Sequence, residues 1–208
     1  MKSIIKVIFI LFLVSCKAQN IIPLYNEGNY PNYISGVPEY YKDVGNDFNP
    51  YVGTWSGNLG NDTLTITFNK VVNFLDSSGD YFDFLVGEFR YEENGQVLVD
   101  TYPEIISNDP NGVPLIINPN PWNNSINSTS IRTYNRGFPP CPECAPNTRF
   151  IFLSIVEPND IWGKIRMARF EENGVEKLRM RITNTYAGDS PNELSIPENS
   201  IWTLVKQE

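Results

Sequence analysis

Strict alternation of apolar and polar residues is the feature that most constrains the fold of this chain. Leu64, Ile66 and Phe68 alternate with threonines, and the same period recurs with charged residues over 177–183. A period of two places one face of a strand in the core and the other face in water. From residue 51 onward, no window carries the apolar stripe of an amphipathic helix. The chain is therefore predicted to be all-β.

Breaks at Gly, Asn and Pro divide this part of the chain into nine predicted strands, at 53–58, 62–75, 81–93, 96–106, 126–134, 149–157, 161–171, 175–186 and 200–206. Eight to nine antiparallel strands, joined mostly as sequence neighbours, fit an up-and-down barrel or a strongly curved sheet. The phase of the apolar residues shifts across Gly87, which predicts a bulge that bends the strand.

Two Asn-Gly pairs, Asn94-Gly95 and Asn173-Gly174, lie between strand-like runs and predict tight hairpin turns. The hexapeptides that contain them, 90–95 and 169–174, match at five of six positions. Convergence on a stable polar hairpin explains this match better than duplication of a half-domain, because one pair of copies falls short of a repeat architecture.

The first sixteen residues form a short basic start, an apolar run over 7–14, and then Leu13-Val14-Ser15-Cys16, which resembles a bacterial lipobox. The run is too short for a transmembrane helix, which needs about 20 residues. Residues 1–15 are therefore predicted to be a lipoprotein signal peptide, with lipid attached to Cys16 as the membrane anchor. An ordinary secretory signal with a coincidental cysteine is the alternative. Lys17 does not resemble the aspartate that retains lipoproteins at the inner membrane, so an outer-membrane location is expected, with the face left open.

Beyond the signal, 16–50 is rich in Tyr and Asn and is predicted to be a spacer, and 51–208 a single barrel-like domain. The formal net charge of -8 becomes -10 once Lys2 and Lys6 leave with the signal. An acidic surface repels phosphate backbones, so nucleic acid is not expected as a partner.

Histidine is absent from the chain, which removes an essential member of Ser-His triads, Cys-His proteases and histidine-ligated metal sites. Chemistry run by paired carboxylates stays open. No catalytic residue, metal site or cofactor is predicted, and the protein is not expected to be an enzyme.

Cys141 and Cys144 lie between prolines in a compartment that favours oxidation, and a disulfide that braces this loop is expected. A redox pair of the C-x-x-C type is the alternative, although there the first cysteine opens a helix. A metal site would need two further ligands that the chain does not supply as cysteine or histidine.

Two groups of charged residues have alternative interpretations. A solvated outer face is favoured over a charged lumen for Glu88, Arg90, Arg166, Arg179 and Arg181. An acidic turn is favoured over a calcium loop for Asp76, Asp80 and Asp83.

The predicted domain opens with Gly53-Thr54-Trp55, and a Gly-x-Trp in the first strand resembles the entrance motif of lipocalins and related calycin barrels. The resemblance implies that Trp55 plugs the closed end of an eight-stranded barrel and that an arginine of the last strand packs over it, where this chain offers Lys206. Trp202 is grouped with Trp55 in the same interpretation. Both are candidates for ligand contact, with core packing as the alternative.

The whole chain resembles a group of small, uncharacterised lipoproteins of flavobacteria and other Bacteroidetes. The likeness rests on the start at 15–19, on Asn-Pro-Tyr-x-Gly-Thr-Trp at 49–55, and on the run at 86–91 that leads to Asn94-Gly95. It implies a cell-envelope location and supplies no active site.

Three hypotheses for function follow. The first is a non-enzymatic module that binds a small apolar ligand inside the barrel. The alternative is a structural or interaction subunit that docks an envelope protein through the spacer or through the loops at 103–125 and 138–148. A carboxylate-dependent hydrolase is the third, and it requires a cleft with two facing acids.

Overall fold

A computed structural model of the chain describes residues 20–25, 37–102, 105–106, 115–116, 120–133, 141–158, 160–184 and 193–207. These residues contain thirteen strands, which are β1 (Asn20–Pro23), β2 (Glu39–Lys42), β3 (Gly53–Leu59), β4 (Asp62–Leu75), β5 (Tyr81–Glu93), β6 (Gln96–Asp100), β7 (Ile105–Ile106), β8 (Leu115–Ile116), β9 (Ile126–Arg132), β10 (Phe150–Glu157), β11 (Ile161–Glu172), β12 (Val175–Asn184) and β13 (Ile201–Lys206). Two short 3-10 turns, Asn49–Tyr51 and Pro121–Asn123, lie between them. Among the described residues, no helix has the length and apolar character needed to cross a bilayer.

Eight antiparallel strands close into a barrel in the order β5, β4, β3, β13, β12, β11, β10 and β9, and β9 pairs back onto β5. The all-β prediction and the predicted barrel are thereby confirmed. Most strand boundaries agree with the predicted ones within two residues. The predicted strand at 96–106 is instead divided between β6 and the short β7, which belongs to a separate two-stranded sheet with β8.

The interior of the barrel is filled by side chains from the described strands. One continuous cluster of buried residues reaches from Trp55 on β3 to Trp202 on β13 and includes Tyr91 and Phe89 on β5. Each large apolar side chain removed from water contributes roughly 1.5–3 kcal/mol, so the filled interior is the main source of stability.

The two ends of the barrel are covered differently. At one end Trp55 donates its indole N–H to the carbonyl of Tyr51 at 2.7 Å, and the Lys206 ammonium lies 5.4 Å from the centre of its ring. A lysine thus takes the place over the tryptophan where the calycin resemblance implied an arginine. At the opposite end Leu194 packs into the core close to Gly163, where a Cβ would lie 2.3 Å from the Leu194 Cδ1.

The prediction of a bulge at Gly87 is wrong, because Gly87 pairs with Phe68 in continuous register. A Cβ at Gly87 would lie 2.9 Å from the Phe68 ring, so glycine is needed here for close packing. The register shift lies instead between Val71 and Phe74 of β4, with Asn73 at a φ of 57°. The apolar phase changes along β5 because both of its faces are covered: Leu85 and Phe89 face the core, while Phe84 is buried on the outside.

Part of the segment predicted as a spacer is folded against the barrel. β1 pairs in parallel with β2, and β2 pairs in parallel with the start of β5. The buried Asp83 carboxylate holds this segment, because it accepts hydrogen bonds from the Tyr40 hydroxyl at 2.6 Å and from the backbone N–H of Asp43 at 2.9 Å. The predicted signal peptide and Cys16 lie outside the described residues.

Arg166, Arg179 and Arg181 on β11 and β12 lie on the outer face, as favoured by the sequence, whereas Glu88 is buried and the solvated face predicted for it is wrong. Arg166 pairs across with Arg181, and the neighbouring inward positions are apolar and buried. The acidic cluster forms a turn in which the Asp76 carboxylate accepts a hydrogen bond from the backbone N–H of Ser78 at 2.8 Å. Burial raises the pKa of Asp76, but the hydrogen bonds it accepts outweigh burial and lower the pKa overall. Asp83 stands apart from this turn in the contacts described above.

Candidate functional site

The candidate site lies where β5 exchanges one neighbouring strand for another. The same edge of β5 pairs with β9 at 85–87 and with β6 at 90–93. The two partners diverge around Glu88 and Phe89, which leaves an opening between the ends of β6 and β10 on the outside of the barrel. A pocket of about 590 Å³ occupies this opening and is called the fork pocket below; it is lined by residues 100–101, 122–125, 156–158, 160 and 162.

Hydrogen bonds from β5 fix two walls of the fork pocket. The Thr101 hydroxyl accepts a bond from the backbone N–H of Phe89 at 2.8 Å, and the Thr101 N–H donates to the carbonyl of the same residue at 2.9 Å. The N–H of Ser125 donates to the buried Glu88 carboxylate at 3.2 Å, while its carbonyl accepts from the N–H of Val156 at 2.8 Å. These hydrogen bonds fix the end of β6, the turn before β9 and the end of β10 in position relative to β5.

Two half-exposed tryptophans border the fork pocket. Trp122 is 48% exposed and packs edge-to-face against the buried Phe84 ring, with the ring centres 4.8 Å apart. Trp162 is 43% exposed and lies on the outer face of β11, across from Val156 of β10. Large aromatic side chains at a pocket rim supply apolar contact area at little cost in conformational entropy, since each has only two rotatable side-chain bonds.

Three carboxylates line the fork pocket, and two of them accept hydrogen bonds from residues that the structure describes. Glu157 is buried and accepts bonds from the backbone N–H of Ser195 at 2.9 Å and from its hydroxyl at 2.9 Å. Asp100 accepts from the N–H of Tyr102 at 3.0 Å and lies 3.7 Å from the Arg90 guanidinium. Asp160 is the exposed carboxylate in the turn between β10 and β11.

Asn124 supplies an acceptor beside the fork pocket. Its side chain is 2% exposed, and its amide nitrogen donates to the carbonyls of Asn120 and Pro121 at 3.4 and 3.1 Å. Within the part of the chain that the structure describes, its Oδ1 accepts no hydrogen bond. Buried polar atoms are nearly always hydrogen-bonded, so an acceptor without a donor at a pocket is typical of a place where a ligand or water completes the contact.

A second pocket, of about 360 Å³, lies at the other side of the molecule near Asp47, Tyr51, Arg149 and Arg169. Its cations are already engaged: Arg149 pairs with Asp47 and lies 3.9 Å from the centre of the Tyr25 ring, and Arg169 pairs with Glu176. This pocket is therefore a weaker candidate than the fork pocket.

The tryptophans selected from the sequence lie elsewhere. Trp55 and Trp202 are fully buried in the core, and the Trp202 indole N–H donates to the Ser200 hydroxyl at 2.9 Å. Their suggested contact with a ligand stays a prediction, and both contribute to packing. Cys141 and Cys144 lie at the distance of a disulfide, with Cα atoms 5.2 Å apart, and Cys144 packs on Phe150 and Ala168. No group of three acidic or cysteine side chains among the described residues is arranged to hold a metal ion.

Sequence reasoning missed Trp122 and Trp162, although two signals pointed to them. Trp122 follows Pro121 in the proline-rich loop at 103–125, the kind of connection that often carries binding residues. Trp162 is two and four residues from Lys164 and Arg166 along β11, so the three side chains lie on the same face of the strand, outside the barrel.

Comparison with known proteins gives a family and no activity. No curated protein and no solved structure matches the chain. The model of one family, described as a family of unknown function, DUF6705, matches residues 1–207. Because this match spans nearly the whole sequence, the chain belongs to the DUF6705 family.

Proposed function

We propose that this protein is a non-enzymatic binding module of the bacterial cell envelope, anchored by lipid on Cys16, and that its ligand binds in the fork pocket. The observation that carries the proposal is the opening between β6 and β10, with Trp122 and Trp162 at its border. Its volume falls within the range of about 300–1,000 Å³ that is usual for small-molecule sites.

The packed core favours the outside of the barrel over its lumen as the binding site. Inward side chains such as Trp55, Leu64 and Trp202 are fully buried against one another. A ligand inside would have to displace them, and each large apolar side chain lost from a core costs about 2–5 kcal/mol. The expected apolar ligand within the barrel is therefore replaced in this proposal by a ligand at the fork pocket.

The lipid anchor is supported by the sequence Leu13-Val14-Ser15-Cys16. β1 begins at Asn20, four residues after Cys16, and an extended chain spans about 3.5 Å per residue. A lipid on Cys16 would then hold the β1 edge of the barrel within about 14 Å of the bilayer surface. The proposal thus places the barrel beside the membrane, with several acyl chains giving durable attachment.

Labelling with radioactive palmitate tests the anchor. Wild-type protein should take up label and fractionate with outer membranes, whereas the Cys16→Ala variant should be unlabelled. Equal label in both proteins would contradict lipidation of this residue.

Fluorine NMR of 5-fluorotryptophan-labelled protein tests the binding site. The chain has four tryptophans, of which Trp122 and Trp162 border the fork pocket while Trp55 and Trp202 are internal controls in the core. Glycan, lipid and peptide fractions of a bacterial envelope are added in turn. We expect one fraction to shift the Trp122 and Trp162 signals and to leave the other two unchanged. No shift with any fraction, or a first shift of the core signals, would overturn the fork pocket as the site.

A protein partner is the second candidate, with docking expected through the loops at 103–125 and 138–148. In the described part of the second loop, the Glu143 carboxylate accepts a hydrogen bond from the Arg179 guanidinium at 3.0 Å, and Cys144 packs beside Phe150. This loop is therefore engaged with the barrel itself. A shift of Trp122 and Trp162 that occurs with the peptide fraction alone would favour the partner over a small ligand.

A further inference from the structure

We propose that the ligand of the fork pocket is a neutral saccharide, an inference that rests on the proposed function and names its ligand class. A sugar ring presents C–H groups on its faces and hydroxyl groups around its edge. Such a ligand needs flat apolar surfaces and, between them, acceptors and donors for hydroxyls. The fork pocket offers both kinds of group.

The tryptophans supply the apolar surfaces. Trp122 is held from one side by Phe84, so its indole is positioned before a ligand arrives. Trp162 lies on a paired strand of the closed barrel, which fixes the position of its backbone before a ligand arrives. Groups that are ordered in advance lose little entropy on binding, which favours weakly interacting ligands such as sugars.

The polar groups fit hydroxyls better than they fit a cation. Glu157 and Asp100 already accept hydrogen bonds from Ser195 and Tyr102, and the Asp100 charge is further offset by Arg90. A bound cation would need carboxylates without such compensation. A hydroxyl, in contrast, both donates and accepts, so it can use the remaining lone pairs of a carboxylate that is already bonded.

The Asn124 Oδ1 points to the same ligand class. It is a neutral acceptor that lacks a donor within the described residues, and it belongs to a residue that lines the fork pocket. A hydroxyl group can donate to it without bringing a charge into a nearly buried place. An anionic sugar is disfavoured, because Asp100, Glu157 and Asp160 give the lining no net positive charge.

Isothermal titration with defined oligosaccharides tests the inference. The probes are neutral hexaoses of glucose, xylose, mannose, galactose and N-acetylglucosamine, with spermidine as the cationic comparison. We expect at least one neutral probe to bind with a dissociation constant of about 1 mM or tighter. Its affinity should change little between low and high salt, since screening acts on charges.

Four variants identify the site. Trp122→Ala and Trp162→Ala should each weaken the saccharide by about tenfold or more, which corresponds to about 1.4 kcal/mol. Trp122→Phe should recover part of the affinity, because a ring against Phe84 is retained. Ile201→Ala is the matched control, since Ile201 is 42% exposed on β13 and does not line the fork pocket. The affinity of this variant for the saccharide should equal that of the wild type.

The outcomes separate this inference from the proposed function. Salt-sensitive binding of spermidine alone, lost in Asp160→Asn, would overturn the neutral saccharide in favour of a cation. Absence of binding by every oligosaccharide would overturn it as well, and a shift of the Trp122 signal by an envelope fraction would then leave the proposed function standing. Saccharide binding that is unchanged in both alanine variants would place the site elsewhere and overturn the inference.

Discussion

Two hairpins of this barrel share nearly the same hexapeptide, yet they turn opposite faces toward the core. In the first, 90–95, Tyr91 is fully buried and packs edge-to-face against the Trp202 ring at 6.3 Å. In the second, 169–174, the matching Phe170 lies on the outside of the barrel. The Arg179 guanidinium carbon lies over it, 5.6 Å from the centre of the Phe170 ring. The matching arginines also exchange faces.

The two hairpins share their turn geometry but differ in which face is buried. Both turns have positive φ angles, 49° and 79° at Asn94 and Gly95 and 54° and 78° at Asn173 and Gly174. The Asn-Gly pair therefore dictates the turn in both places. Which face points inward depends on the residues upstream, because side chains alternate along a strand and the phase is set where the strand meets the core.

The largest expected difference between the hairpins is in core packing. Tyr91→Ala should lower the free energy of unfolding by about 3–5 kcal/mol, because it opens a cavity beside Trp202. Phe170→Ala should cost less, about 1.5–3 kcal/mol, because Phe170, although only 5% exposed, lies on the outer face and outside the continuous core cluster. Denaturant unfolding of both variants measures the difference, and equal losses would contradict the opposite orientation of the two hairpins.

The next largest expected difference between the hairpins is in their effect on stability at alkaline pH. Burial, with Asp62 nearby, raises the pKa of Tyr91 well above its ordinary value of 10.0. The unfolded chain therefore ionises at this position above pH 10.0 while the folded chain does not, and stability falls as pH rises from there toward the folded pKa. Tyr91→Phe makes the two hexapeptides identical, and the variant should unfold at a higher pH than the wild type.

Circular dichroism across the alkaline range, with tyrosinate absorbance followed in parallel, checks this prediction. Tyr51 and Tyr40 also have pKa values raised chiefly by burial, so the variant should still unfold at a pH above that of free tyrosine ionisation. A variant that unfolds at the same alkaline pH as the wild type would show that ionisation of Tyr91 does not contribute to alkaline unfolding.

The two Asn-Gly turns should be destabilised equally when their glycines are replaced by alanine. Gly95→Ala and Gly174→Ala place a Cβ on residues with φ of 79° and 78°, where L-residues other than glycine are disfavoured. Each should cost about 1 kcal/mol, because the strain is local to the turn. Thermal unfolding of the two variants should give nearly equal shifts, and a clear inequality would show that packing around the turns matters more than their backbone.

The smallest effect is expected at acidic pH and only in the second hairpin. Hydrogen bonds from Lys206, at 2.9 Å, and from Arg169 lower the pKa of Glu176. Its contribution to stability is present above its ordinary value of 4.5 and is lost as pH falls through the folded pKa. Because the pair is about one-third exposed, Glu176→Gln should cost under about 1 kcal/mol at neutral pH.

Urea unfolding at pH 7 and in mild acid tests this last point. The gap between wild type and Glu176→Gln should narrow in acid, while Glu93→Gln, an exposed glutamate of the first hairpin, should show no such change. A gap that stays constant would mean that the Glu176 charge does not stabilise the fold.

The candidate site was less predictable than the fold. Trp55 was selected by a Gly-x-Trp motif, and Trp202 was grouped with it; both lie in packing positions within the barrel. Trp122 and Trp162 become neighbours of one pocket only through the pairing of β5 with both β6 and β9. Those contacts join residues that are far apart in the chain, so a local sequence pattern can mark each tryptophan as exposed but cannot show that the two share a pocket.

The sequence by itself determined most of the strands, the two Asn-Gly turns and the all-β class, because alternation and Asn-Gly pairs act over a few neighbouring residues. Only the tertiary structure decided that β9 pairs with β5 to close the barrel, which face of each hairpin is buried, why Gly87 must be glycine, and where the fork pocket forms. Each of these depends on long-range pairing, in which a strand's environment is set by whichever segments cover its two faces.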